Sequence, residues 1–176
     1  MKYLLSTLLT VSSLMIPSMA LAQFSTDSSA DTILLADDTI YSNGSTKLSG
    51  QVDIRQGDVR LLADEVEIFS SGGLGGGLAS TDGITRVVAT GNFYYITPEQ
   101  EVRGDKGVYT AATDSFDVTG DVILLQQDSV VTGERLKYNL TTRAAEVAGD
   151  CKGRKCGKGR RVAILIRNSD SAQGVN

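Results

Sequence analysis

The chain has 176 residues, 41% of them hydrophobic, and a formal charge of −4 without a single histidine. Lacking imidazole, it cannot build histidine-based catalytic triads or most metal-hydrolase sites, and its mildly acidic balance offers nothing to nucleic acid. Nineteen glycines beside an ordinary apolar fraction fit a folded chain with many tight turns, not a disordered one.

Residues 1–22 read as a signal peptide: Lys2 gives a small positive region, Leu4 to Ile16 an apolar run, and Ala20-Leu21-Ala22 a small-residue cleavage site. The apolar run is short for a membrane helix, which needs roughly 20 residues. Gln23, not a cysteine, follows the cleavage site, which argues against a lipid anchor. The expected mature chain of 154 residues is exported and long enough for one domain. Residues 23–31 are polar and read as a loose leader.

From Thr32 onward apolar residues recur with period two. Val52 and Ile54, Phe93 and Tyr95, and Val122 and Leu124 hold equivalent places, and Leu61, Val66, Ile68, Val102, Tyr109, Phe116 and Val118 continue the phase. This alternation predicts half-buried strands with one apolar face.

Superimposed on it is a repeat. Gly50, Gly91 and Gly120 each open a strand-like run (QVDIRQ, NFYYIT, DVILLQ), and thirteen residues on stands a small residue followed by an acid: Ala63-Asp64, Gly104-Asp105, Gly133-Glu134. Gly91 to Gly120, Gly104 to Gly133 and Gly120 to Gly149 each span 29 residues, and a worn copy, Ala36-Asp37 with Tyr41, precedes them. Such a period predicts supersecondary units too small to bury their own apolar faces. The glycines and acids read as corners between successive strands.

One insertion breaks the register: Ala63 and Gly104 lie 41 apart, and the excess falls in the glycine-rich stretch 70–83. It has no lysine and no helical pattern behind it, so it reads as a linker and not a phosphate-binding loop. Near the C-terminus, CKGRKC places Cys151 and Cys156 at a spacing that suits a disulfide-closed hairpin tip in an oxidising compartment. Residues 152–167 carry seven of the 17 basic side chains, RVAILI (Arg161 to Ile166) reads as a final strand, and residues 168–176 as a polar tail.

The repeated acids Asp64, Asp105 and Glu134 could be the carboxylates of a glycosidase. Their equivalent places beside small residues favour turn chemistry, so no enzyme, no cofactor and no metal site is expected.

Four stretches in order, LSGQVDIRQGDVRLLADEVEIF, ATGNFYY with VRGDKGVY, VTGDVILLQQDSVVTGERLKY and GKGRRVAILI, resemble the OstA-like (LptA) family of lipopolysaccharide-transport proteins. The likeness spans roughly Thr32 to Arg167, and the expected domain is 32–167. It implies an all-β fold, an open, twisted antiparallel β jelly roll with an apolar interior, and a place in the periplasm. It also implies a bridge of such domains, stacked head to tail, from an LptC-like inner-membrane subunit to an LptD-like outer-membrane translocon. Lipopolysaccharide would travel along it with its lipid A acyl chains inside.

The groove lining expected on this basis is Leu34, Val52, Ile54, Phe93, Tyr95, Val122, Leu124 and Ile164. The expected partner edges are the first strand, with Thr32, Ile33 and Leu35, and the last, with Val162, Ala163 and Leu165. The alternative is a β-repeat scaffold or adhesin with no lipid ligand.

Overall fold

The computed structural model describes residues 30–42, 44–71, 83–151 and 161–167. The signal segment, nearly all of the leader, the core of the glycine-rich insertion, Cys156 with most of the basic cluster, and the polar tail lie outside the described residues.

Ten strands follow in order: β1 (Thr32–Leu35), β2 (Asp38–Ser42), β3 (Ser45–Gln56), β4 (Val59–Ser70), β5 (Ile84–Ile96), β6 (Gln100–Thr110), β7 (Ser115–Gln126), β8 (Ser129–Asn139), β9 (Ala145–Ala148) and β10 (Ala163–Ile166). The one helical piece among the described residues is a 3-10 turn, Ala111–Thr113. All pairings are antiparallel, in the order β1-β3-β4-β5-β6-β7-β8-β10, with β2 also on β3 and β9 also on β8. The expected all-β, open antiparallel architecture is what the chain adopts: the order runs from edge to edge and does not close on itself.

The repeat has a different meaning from the one its composition suggests. Gly50, Gly91 and Gly120 sit inside β3, β5 and β7, not at their ends. Each has φ near +80° and is followed by a second positive-φ residue, Gln51, Asn92 or Asp121. Two successive left-handed residues make a bulge that bends the strand sharply. Register shifts fall at this level in all five pairings of the long strands: between Ser49 and Val52, Leu62 and Glu65, Thr90 and Phe93, Arg103 and Lys106, and Thr119 and Val122. The bulges therefore line up into one crease across the sheet. The acids pack over the glycines: a Cβ on Gly50, Gly91 or Gly120 would run into Asp37, Asp64 or Asp105 respectively. The Asn92 side-chain amide also donates to both oxygens of Asp64 at 3.1 and 3.0 Å.

This geometry explains the worn copy. Asp37 stands over Gly50 as Asp64 stands over Gly91, so β1 and β2 are one long strand interrupted at the crease. At the other edge β9 pairs with residues 135–138 of β8 and β10 with residues 129–132, running in the same direction. They too are one strand, parted at the crease between Ala148 and Ala163.

The crease divides the sheet into two walls. The first holds β1, β10 and the adjoining halves of the long strands, and the second holds β2, β9 and the other halves. Side chains from the two walls meet. Phe116 of the second wall lies 4.9 Å from Tyr95 and 6.3 Å from Phe93 of the first, measured between ring centroids. Phe93 lies across Gly107, where a Cβ would strike its ring. The core is built where the walls face each other, and Val66, Phe93, Tyr109, Val122 and Leu136 are sealed from solvent. Each such side chain contributes about 1.5–3 kcal/mol by burial.

Candidate functional site

The inward face of the first wall carries two apolar rows, each fixed by strand register. One crosses eight strands without a break: Leu34, Ile54, Leu61, Tyr95, Val102, Leu124, Val131 and Ile164. The second, next to the crease, holds Val52, Phe93 and Val122 opposite Ala63, Gly104 and Gly133. All eight groove residues expected from sequence fall in these two rows.

Their surroundings differ. Val52, Phe93, Tyr95, Val122 and Leu124 are buried in the core, and Leu34 and Ile54 are half-buried at its margin. Ile164 shares their phase but is 64% exposed at the β10 edge. The interior is filled by its own side chains, and the seam between Phe93, Tyr95 and Val102 on one side and Phe116, Val118, Leu136 and Tyr138 on the other leaves no room for a water molecule.

The second wall supplies an equal share of the interior that the expected lining omitted. Leu48, Val66, Ala89, Gly107, Val118, Leu136 and Val147 form one row, and Ile68, Val87, Tyr109, Phe116 and Tyr138 another. Their alternation was visible, but only the crease turns them to face the first wall. Burial pushes the Tyr95 and Tyr109 phenols well above the ordinary tyrosine value, so both stay neutral and the interior carries no charge. The Tyr109 hydroxyl reaches out of the core to donate to Asp114 at 3.1 Å.

Both expected edge segments are strands at the limits of the sheet. Ile33 and Leu35 of β1 are 55% and 51% exposed, and Thr32 between them and the leader turns inward. Ala163 and Leu165 lie on β10, and Val162 just precedes it. Sequence reasoning missed that β2 and β9 share these edges. Every large exposed apolar side chain among the described residues lies here: Ile33, Leu35, Ile40 and Tyr41 at one edge, and Val162, Ile164, Leu165 and Ile166 at the other.

On the outer face beside β1, Asp53 is held by two arginine forks. Arg60 donates through Nε at 2.8 Å and Nη2 at 2.7 Å, and Arg55 through Nη2 at 2.6 Å. These bonds, Arg60's first, hold the Asp53 carboxyl well below the usual carboxylate range. Cys151 is not a free thiol, whereas its expected partner Cys156 lies outside the described residues.

Among the described residues the arrangement brings together no group of three or more cysteine, aspartate or glutamate side chains that could hold a metal ion. It presents an uncharged, apolar interior, creased along its length, with oily edges at both ends. Residues 34–144, well over half of the sequence, match the family model described as LptA/(LptD N-terminal domain) LPS transport protein. The chain belongs to this family. Among solved structures, this LptA-family chain is similar to LptH of Pseudomonas aeruginosa, described as the LptA homologous periplasmic component of the conserved lipopolysaccharide transport device. The TM-score is 0.65 at 16% identity, covering 82% of this chain and 100% of that one. At that identity the likeness is one of fold. No curated protein matches the sequence.

Proposed function

We propose that this LptA-family protein is a periplasmic carrier of lipopolysaccharide, housing lipid A acyl chains between its two walls and joining other domains of its kind end to end. The observation that carries this reading is the eight-strand apolar row that runs to both open edges, where the exposed apolar side chains gather. A row of this kind, continued from one domain to the next, would give a hydrocarbon chain an unbroken dry path while the sugars stay outside.

Side chains of the two walls are in contact, so an acyl chain would enter by parting them. A chain of about a dozen methylenes gains roughly 9 kcal/mol on leaving water, at about 0.8 kcal/mol each. Two ring contacts cross between the walls, Phe116 with Tyr95 and with Phe93, and they contribute about 0.5–1.5 kcal/mol apiece beyond their area. Burial of the chain outweighs them, and the displaced rings gain the chain as a new neighbour.

At the edges, β1 with β2 and β10 with β9 offer unpaired backbone for strand addition. The partners on this reading are further copies of the chain, an LptC-like subunit at the inner membrane and an LptD-like translocon at the outer membrane. The Cys151–Cys156 bridge would close the loop inserted between β9 and β10 and hold β10 in line with β9.

The filled interior favours the second reading, a β-repeat scaffold without a lipid. Purification without detergent, followed by lipid mass spectrometry, separates the two: co-purifying lipopolysaccharide supports the carrier and its absence the scaffold. Ile54→Asp is the informative variant, because Ile54 is half-buried at the margin, whereas an aspartate at Leu124 would unfold the core. It is expected to fold and to lose the lipid, and undiminished lipid would count against the reading.

A further inference from the structure

Beyond the eight-residue apolar row, the first wall ends in a further inward row of different chemistry. Thr32 pairs with Gln56 across β1 and β3, Gln100 with Gln126 across β6 and β7, and Ser129 with Gln126 across β7 and β8. Thr97 joins them at the β5–β6 turn, where its hydroxyl faces the Gln100 carbonyl at 3.4 Å. The repeat encodes this lip: Gln56, Thr97 and Gln126 each stand six residues after Gly50, Gly91 and Gly120. These six side chains are polar and uncharged and none is fully exposed, and two apolar residues share the row, Val59 opposite Gln56 and Ile166 opposite Ser129.

The opposite wall does not match. It ends on Ile84, Ala111 and Leu140, which pack onto the core. One mouth of the interior is thus lined mainly by neutral hydrogen-bonding groups on one side, interrupted by Val59 and Ile166, and mainly by hydrocarbon on the other, where Ser70 pairs with Ile84.

Part of the lip is internally satisfied, since the Gln126 amide donates to Gln100 at 3.0 Å and the Ser129 hydroxyl to the Gln126 carbonyl at 3.0 Å. At the β1 edge the bonding is incomplete. Gln56 is 6% exposed and its amide nitrogen donates to the Ala30 carbonyl at 3.4 Å, yet its Oε1 and the neighbouring Thr32 Oγ1 are buried without a hydrogen-bond partner. Buried polar atoms are nearly always paired. Here an unused donor and an unused acceptor stand side by side where an apolar interior meets a polar rim.

We propose that this lip binds the linkage region of an acylated amphiphile, the Thr32 hydroxyl donating to an ester or amide carbonyl at the head of an acyl chain and Gln56 Oε1 accepting from a headgroup hydroxyl. The lip sets how deep the chain lies and on which side the headgroup leaves. The proposal rests on the acyl-chain reading of the interior.

The test uses a dodecanoyl ester of glucose and the dodecyl ether at the same hydroxyl, titrated calorimetrically into the mature chain below micelle concentrations. The ester should bind about three- to tenfold tighter, the worth of one hydrogen bond. Thr32→Val, alike in shape, should bring the ratio to about one by weakening the ester alone. Gln56→Leu should weaken both ligands, and because it also removes the bond to the Ala30 carbonyl, its melting temperature is measured alongside to confirm that it is folded. Equal binding of ester and ether, a preference that survives Thr32→Val, or unchanged affinities in Gln56→Leu would overturn the lip while leaving the interior site standing. Failure of both amphiphiles to bind would overturn the lip and the interior site together.

Discussion

Phe93 lies flat over the bare backbone of Gly107, and the two walls approach as closely as they do because that position has no side chain. Gly107 has no positive φ to explain it, so the demand is for space alone. Gly107→Ala should therefore cost about 1–3 kcal/mol, the usual penalty for overpacking a core. Urea denaturation monitors this, and a variant as stable as the parent would show that the walls give way easily at rest.

Asp53 makes a second prediction at this scale. Its carboxyl is held below the usual range by Arg60 and Arg55. A depressed folded-state value means that the stabilisation is present above the unfolded value, about 4, and is lost as the pH falls toward the folded one. Asp53→Asn should be less stable than the parent at pH 7, and the gap should narrow below pH 4. Because both arginines are substantially exposed, a difference of about 1 kcal/mol is expected. A gap that does not change with pH would remove the arginine forks as its cause.

Among the elements, the two edges are where the proposed assembly would be built. β10 has four exposed residues and no charge within it, the kind of edge that soluble proteins usually blunt. Ile164→Lys should abolish concentration-dependent growth in light scattering while leaving the melting temperature unchanged, because Ile164 is largely exposed already. Undiminished assembly would show that β10 is not the docking edge.

The strands themselves were readable because alternation marks one face of a strand whatever it pairs with. The crease was not. A glycine of positive φ beside an acid serves a tight turn and a bulge equally well, and only the pairing of Val52 with Ala63, or Phe93 with Gly104, decides between them. Taking those glycines as strand ends left Tyr109, Phe116 and Leu136 on no particular wall, and so outside the expected lining. Asp37 and Tyr41 kept enough of the repeat to be noticed, but what they mark, an edge strand broken at the crease into β1 and β2, required the register with β3.

For the whole molecule, the described residues form a single sheet doubled along a crease, with an interior filled by its own side chains. On the proposed reading its capacity lies in how far the walls part, a motion that the aligned bulges would support without breaking a ladder. The Tyr95–Phe116 and Phe93–Phe116 contacts, at 4.9 and 6.3 Å, are the ones such a motion would have to separate. Neighbouring tyrosines on β5 make the decisive comparison available. Tyr95 points between the walls, and Tyr94 points outward beneath the Arg103 guanidinium. A photoreactive phenylalanine analogue placed at each position in turn, irradiated with lipopolysaccharide, should give a lipid adduct at Tyr95 and none at Tyr94. Adducts at Tyr94 alone, or in equal yield at both, would contradict an interior that opens to receive the acyl chains.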